Sequence, residues 1–454
     1  MVDKAGSLAA EIENELAIEQ VQAVKRSYKI DTIAVHGIYD HATMLANQGS
    51  IIEPLYLSVS QHFPDSTGLA DTLAYEAEGW AYSRIDNPTV HQLEVRLALL
   101  DSYGSDLTAS ACVAASGMAA IFLATNPLLA GSVRMNIVAS AHVYGGTFML
   151  FAERYGRERG VEVRWVSEPG NLKAWERVID KNTRFVYVET PSNPTLAIVD
   201  IAGLAELAHA KEAPLIVDST LATPALLRPL TIGADIVVHS LTKTICASGL
   251  AVGGALIARK NLVSSFLSGS FKADFATQVK LLPARDFGPA LSPFAALMIL
   301  SDLRTLRSRV NVLSQRALKV AKYLAAQPLV EAVWYPGLLE FPGHELAAKQ
   351  LRLVDSETET KPAQPRFGHL LGFTVRGGGE AARRVLDRLQ LVVRATDLGR
   401  IKSVATIPAI STHQQQGEDG RSRAAIPDNL IRLSVGGEHV DDVIADLTQA
   451  LAVE

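Results

Sequence analysis

The chain has 454 residues, of which 48% are hydrophobic and 20% charged; 43 Lys and Arg face 48 Asp and Glu, a formal net charge of -5. The mildly acidic balance leaves no electrostatic footprint for nucleic acid, while the apolar half can build cores for two or three structural units. Cys112 and Cys246 are the only cysteines, which excludes a disulfide framework and points to a reducing cytoplasm, and no apolar run approaches the ~20 residues of a membrane span.

The N-terminal residues lack the basic-then-apolar pattern of a secretion signal, and Ala9 to Lys29 has the spacing of a charged amphipathic helix. Residues 1–75 alternate helix-like and irregular stretches without a strand–helix rhythm, and are expected to form an arm. A large domain is expected over 76–288. In it, Ile137 to Ala139, Phe185 to Val188, Leu215 to Val217 and Ile236 to Val238 are short, continuously apolar runs, the pattern of strands buried on both faces of a parallel sheet. Segments such as Ile201 to Lys211 between them have helical spacing, so the expected fold is α/β with a mostly parallel sheet.

A smaller α+β domain is expected over 289–454. It opens with a helical stretch from Pro293 to Ala326, on which Leu303, Leu306, Val310 and Leu313 recur at helical intervals. Strands are expected at Leu370 to Val375 and Leu391 to Arg394, and an amphipathic helix from His439 to Leu451. Ser356 to Pro365 reads as a surface insertion, and the charged, glycine-containing Gln414 to Asp428 as a flexible loop.

In open parallel sheets, ligands bind beyond the carboxyl ends of the strands. The four runs lead into His142 and Tyr144, Glu189 and Asn193, Asp218, and Ser240 with Lys243. Lys243 is placed to form a Schiff base with an aldehyde. Asp218 can hold a pyridinium nitrogen protonated, and Ser240 and Thr242 can receive a phosphate. These are the demands that pyridoxal 5'-phosphate makes on a protein. Ala115 to Ala120 opens a helix with small residues, so backbone N–H groups near Gly117 and Met118 can face an anion. Tyr144, beside Gly145 and Gly146, can stack on the ring and move protons, and Asn193 can bond the cofactor's phenolic oxygen or a substrate carboxylate. Taken singly, each residue has an ordinary alternative: Lys243 a strand-end lysine reaching for water, Asp218 a turn cap, Tyr144 a core aromatic. Their conjunction favours the cofactor.

The set Tyr82 to Thr89, Ser116 to Ala119, Tyr144 to Thr147, Glu189 to Pro194 and Ser240 to Lys243 resembles the Cys/Met-metabolism enzymes that use pyridoxal phosphate. That family includes cystathionine γ-synthase, the cystathionine lyases, methionine γ-lyase and the homoserine-ester sulfhydrylases. The resemblance implies a fold-type I transferase architecture and a homotetramer built from dimers, with Tyr82 and Arg84 reaching the neighbouring subunit's phosphate. It also implies that Arg432, in Ile431 to Gly436, grips the substrate carboxylate, a task suited to a bidentate guanidinium.

Arg285 to Phe294, Ala405 to Gln416 and Val435 to His439 resemble O-acetylhomoserine sulfhydrylases, and Gly146 stands where methionine γ-lyases usually carry cysteine. Asp397 replaces a residue, often serine, that lies near the substrate carboxylate in the family. Cys246 to Gly249 replaces a glycine-and-histidine run, and Ser219 an asparagine. Asp397 is therefore a candidate substrate-binding group, able to favour a substrate with a basic side chain. The expected activity is γ-replacement on an activated homoserine, with γ-elimination from methionine, cystathionine or a similar amino acid as the alternative. A non-catalytic binding protein on the same fold is a third reading, opposed by Lys243. A dinucleotide oxidoreductase is opposed by the lack of a Gly-x-Gly-x-x-Gly run between an early strand and a helix.

Overall fold

The computed structural model describes residues 19, 22–77, 79–131, 135–355 and 363–452. Of the helix expected from Ala9 to Lys29, 22–27 are helical and most of the rest lies outside the described residues, as does 356–362 of the expected insertion.

Seven strands form the first sheet: β1 (Ala109–Ala114), β2 (Asn136–Ser140), β3 (Glu162–Val166), β4 (Thr183–Glu189), β5 (Leu215–Asp218), β6 (Ile236–His239) and β7 (Gly254–Arg259). Their order is β1-β7-β6-β5-β4-β2-β3. The β3-β2-β4-β5-β6 pairs are parallel, and β7 runs antiparallel to both β6 and β1. Every position of β2, β4, β5 and β6 is buried, which explains their continuously apolar runs.

The two faces feed separate cores with period two. Val186 and Val188 enter one with Val217 and Val237, while Phe185 and Tyr187 enter the other with Ile216 and Val238. Each such side chain contributes roughly 1.5–3 kcal/mol on burial. Three strands lacked the expected apolar signature. β1 is built of Ala, Ser, Cys and a single Val, β3 is a partly exposed edge strand, and β7 was absent from the expected runs although it is buried.

The second sheet holds β8 (Val330–Trp334), β9 (Leu370–Val375), β10 (Val393–Arg394), β11 (Val404–Thr406) and β12 (Leu430–Ser434) in the order β10-β11-β12-β9-β8. The helical stretch expected over 293–326 is two helices, Pro293–Leu303 and Leu306–Ala325. They are separated at Thr305, which leaves the helical conformation and whose Oγ1 donates to the Asp302 carbonyl at 3.2 Å. The expected strand at Leu391 to Arg394 shortens to two residues. Gln414 to Asp428, expected as a flexible loop, is instead a 3-10 turn (Gln414–Gln416) followed by the helix Gly417–Arg423. The buried His413 and Gln416 anchor its start, while most of its charged side chains face water. The last helix, Val440–Leu451, packs on Gly378–Arg388. Among the described residues no helix is long and apolar enough to cross a membrane.

Candidate active site

The carboxyl ends of β1, β2, β4, β5 and β6 face one edge of the first sheet, because these strands share one direction. Beyond β1, Ser116 caps the helix Gly117–Thr125 by accepting from the Ala119 N–H at 3.1 Å. Gly117 lies against the end of β6, where an added Cβ would meet Ser240 Cβ at 2.7 Å. A helix start, Gly117, Met118 and Ser240 therefore form one cradle. Thr242 sits beside it, but its hydroxyl is clasped to Gly253, donating to the carbonyl and accepting from the N–H, both at 3.1 Å.

Asp218 ends β5 and is the register partner of Glu189, which ends β4. Both are buried. Asp218 Oδ1 accepts from the Thr220 N–H at 3.0 Å and its hydroxyl at 2.6 Å, while Oδ2 has only a long contact with the Tyr187 hydroxyl at 3.4 Å. Burial raises the pKa of both carboxyls, and the Asp218 charge pushes Glu189 well above the ordinary glutamate range. Behind them, buried His239 pairs with Asp101 at 3.0 Å; burial opposes its charge, but Asp101 and Asp218 outweigh that and raise its pKa.

Glu189 also organises the loops above it. Oε2 accepts from the Tyr144 N–H and Oε1 from the Asn193 N–H, both at 2.7 Å. Tyr144 is 40% exposed, which leaves it open to a ligand. It covers Gly146, where a Cβ would meet Tyr144 Cε1 at 2.6 Å and Met118 Sδ at 3.0 Å. It also meets the His413 ring edge-on at 6.5 Å between centroids. Burial drives the His413 pKa down to about 3, so this imidazole is neutral.

Across the site, Arg432 projects from β12, buried. Nη1 donates to Asn193 Oδ1 at 2.9 Å and Nη2 to the Asp397 carbonyl at 2.9 Å. Nε has no hydrogen-bond partner among the described residues. Burial lowers its pKa to about 10. Lys243 Nζ donates to Asp397 Oδ1 at 2.7 Å, and burial holds the amine below its usual pKa. Tyr82 and Arg84 have their partners elsewhere: Tyr82 bridges to Ser60, the Arg84 guanidinium lies 5.5 Å from the Tyr82 ring, and Arg84 Nη1 donates to the Arg285 carbonyl.

The fold thus gathers Tyr144, Gly117, Met118, Asn193, Asp218, Ser240, Thr242, Lys243, Asp397 and Arg432 at one sheet edge. Glu189 was placed at the ligand edge by the sequence but given no role, and Arg400 and His413 were not singled out. Glu189 carried a signal, a strand-end acid in the same pattern as Asp218, but its in-register pairing is a tertiary fact.

Pyridoxal phosphate fits this chemistry. Asp218 is a buried carboxylate with one oxygen nearly unpartnered, and Lys243 is half-buried with a depressed pKa. A half-buried lysine amine, a buried strand-end acid and a glycine-lined helix start are the features expected of a pyridoxal-phosphate enzyme. The chain belongs to the Cys/Met metabolism PLP-dependent enzyme family, which it matches over residues 31–452. It is 38% identical over 405 residues to O-succinylhomoserine sulfhydrylase of Pseudomonas aeruginosa, covering 89% of this chain and 92% of that one. It is 35% identical over 421 residues to L-methionine gamma-lyase of Pseudomonas putida, covering 92% and 96%. A solved structure from Campylobacter jejuni, named as a candidate O-acetylhomoserine (thiol)-lyase, matches with a TM-score of 0.83 and 34% identity over 93% of this chain and all of that one. In it a lysine is present as N'-pyridoxyl-lysine-5'-monophosphate.

Proposed function

We propose that this enzyme catalyses γ-replacement on an activated homoserine, adding sulfide or a thiol to form a carbon–sulfur bond. The carrying observation is the lack of space at Gly146: a side chain there would meet Tyr144 and Met118, and this is the position at which the resemblance expects cysteine in methionine γ-lyases. Similarity to an O-succinylhomoserine sulfhydrylase supports the same reading.

When bound, pyridoxal phosphate supplies an electron sink for the substrate's Cα and Cβ. Lys243 is the residue that would hold it, with Asp218 facing its ring nitrogen and Gly117, Met118, Ser240 and Thr242 around its phosphate. Tyr82 and Arg84 complete that phosphate site from a neighbouring subunit. Arg432 grips the substrate carboxylate, with Asn193 Oδ1 accepting from its Nη1. With the cofactor bound, Lys243 would be the group placed to move protons at the substrate's Cα and Cβ, and burial favours its neutral amine. Tyr144, partly exposed beside the cradle, would face the ring and be the second candidate proton carrier.

The arm at 1–75, the large domain at 76–288 and the small domain at 289–454 belong to this reading, supported by the two separate sheets. So does a cytoplasmic homotetramer built from dimers. Its support is the exposure of Leu45, Ile51, Leu57 and Leu250, apolar side chains that a partner subunit would cover, and the two free, buried cysteines.

Product analysis tests the activity. O-acetyl- or O-succinylhomoserine with sulfide should yield homocysteine, and a Lys243→Ala variant should yield none. Release of 2-oxobutanoate as the only product, with or without sulfide, would establish the γ-lyase reading instead.

A further inference from the structure

The loop after β10 lies on the turn that carries Lys243. While Asp397 Oδ1 takes the lysine, its Oδ2 accepts from Arg400 Nε. Oδ1 also accepts from the Leu398 N–H at 2.9 Å. Arg400 Nη1 then donates to the carbonyls of Thr242 and Cys246, on either side of Lys243. Gly399 makes this approach possible: it adopts φ +72°, and a Cβ there would meet the Thr244 nitrogen at 2.7 Å. Beneath it, buried His369 bonds Thr244 Oγ1 at 2.8 Å and Ser434 Oγ at 3.1 Å, and Ser434 Oγ accepts from the Gly399 N–H at 2.9 Å. The Asp397 carboxylate is thereby fixed relative to the lysine turn through the Arg400 clamp and the His369 bridge.

A substrate-binding carboxylate would sit differently. Asp397 offers Arg432 only its backbone carbonyl, and its two side-chain oxygens are already shared by two cations. Its carboxylate neither occupies the guanidinium nor presents a free charge to a substrate's basic group.

We propose that Asp397, braced by Arg400, is a positioning residue that holds the Lys243 nitrogen in place for proton transfer. This rests on the reading of Lys243 as the cofactor's lysine. The charged groups facing that nitrogen are Asp397 and Arg400 from this loop and Arg432 from β12. Burial and the two guanidiniums favour the neutral amine, and Asp397 opposes them. Burial likewise disfavours the Asp397 charge, but the bonds from Lys243 and Arg400 outweigh it and keep that carboxyl ionised.

The experiment compares wild type, D397N, D397S and D397E as full-length holoenzymes, reading the pH midpoint of the visible band of the lysine-bound cofactor. After the cofactor is removed from the full chain, the pH dependence of Lys243 acetylation by acetic anhydride, read by mass spectrometry, reports the same nitrogen. D397N and D397S should each lower both midpoints by about one pH unit or more, a tenfold change in the charged-to-neutral ratio. D397E should restore them. Unchanged midpoints in D397N or D397S, with a raised KM for the amino-acid substrate, would overturn the proposal and make Asp397 a substrate contact. If wild type shows no visible band, the cofactor reading fails, while the acetylation midpoints still decide whether Asp397 governs the amine.

Discussion

Glu189 and Asp218 end adjacent parallel strands as register partners, so two buried carboxyls share the floor of the site. Among the described residues no lysine or arginine bonds either of them; the hydrogen bonds they accept come from backbone N–H groups and hydroxyls. Under the proposed reading, a protonated ring nitrogen would supply the opposing charge.

The pairing makes stability depend on pH in a direction set by the shifts. Both carboxyls have folded pKa values raised above their unfolded ones. The native state therefore binds more protons than the unfolded chain, and stability falls as pH rises from the ordinary carboxylate range toward the raised values. Urea unfolding of the cofactor-free chain across pH 4 to 8 should show that decline, and saturating pyridoxal phosphate should flatten it. A cofactor-free stability that rises through the window would contradict the assignment.

Asp218→Asn keeps the shape and removes the charge. Catalysis should fall by about 10²–10³-fold in kcat, the scale for losing one preorganised electrostatic partner. Borohydride should still trap the cofactor on Lys243. Near-normal kcat would rule out Asp218 as the ring-nitrogen partner.

Glu189→Gln places an amide NH2 against one of two backbone N–H donors, those of Tyr144 and Asn193. One buried donor then loses its acceptor, at a cost of about 1–3 kcal/mol. Denaturant midpoints should drop accordingly, and the visible spectrum should shift as Tyr144 moves. An unperturbed spectrum would show that Glu189 does not set the Tyr144 position.

Gly146→Ala inserts a methyl group into the Tyr144 ring and the Met118 sulfur. Overpacking of this kind costs about 1–3 kcal/mol, and here Tyr144 must move. Both the melting temperature and kcat/KM for replacement should decrease. A gain in methionine cleavage without loss of stability would instead mean that the position tunes specificity at no packing cost.

Arg432→Lys retains charge but loses the planar fork that bonds Asn193 and the Asp397 carbonyl together. KM for the amino-acid substrate should rise by about tenfold or more, with a smaller change in kcat, because a charge-assisted bond is worth about 1.5–3 kcal/mol. A fall in kcat alone would argue that Arg432 does not bind the ground-state carboxylate.

Local sequence determined the buried parallel strands, because side chains covered on both faces must be apolar at consecutive positions; that is why Ile137, Phe185, Leu215 and Ile236 marked β2, β4, β5 and β6. It also suggested the chemical inventory, since Lys243, Asp218 and Tyr144 stand where apolar runs end, while the role of Arg432 came from the family resemblance. Strand register and domain packing lie beyond that reach. β1 was unmarked because Ala, Ser and Cys form no hydrophobic run, and the helix break at Thr305 depends on a side-chain bond that competes with the backbone. Only the tertiary structure set Glu189 beside Asp218 and brought Asp397, 154 positions along the chain, onto Lys243. Those relationships arise from a shared strand direction and from the Arg400 and Gly399 contacts that press one loop onto another, and no window of neighbouring residues encodes them.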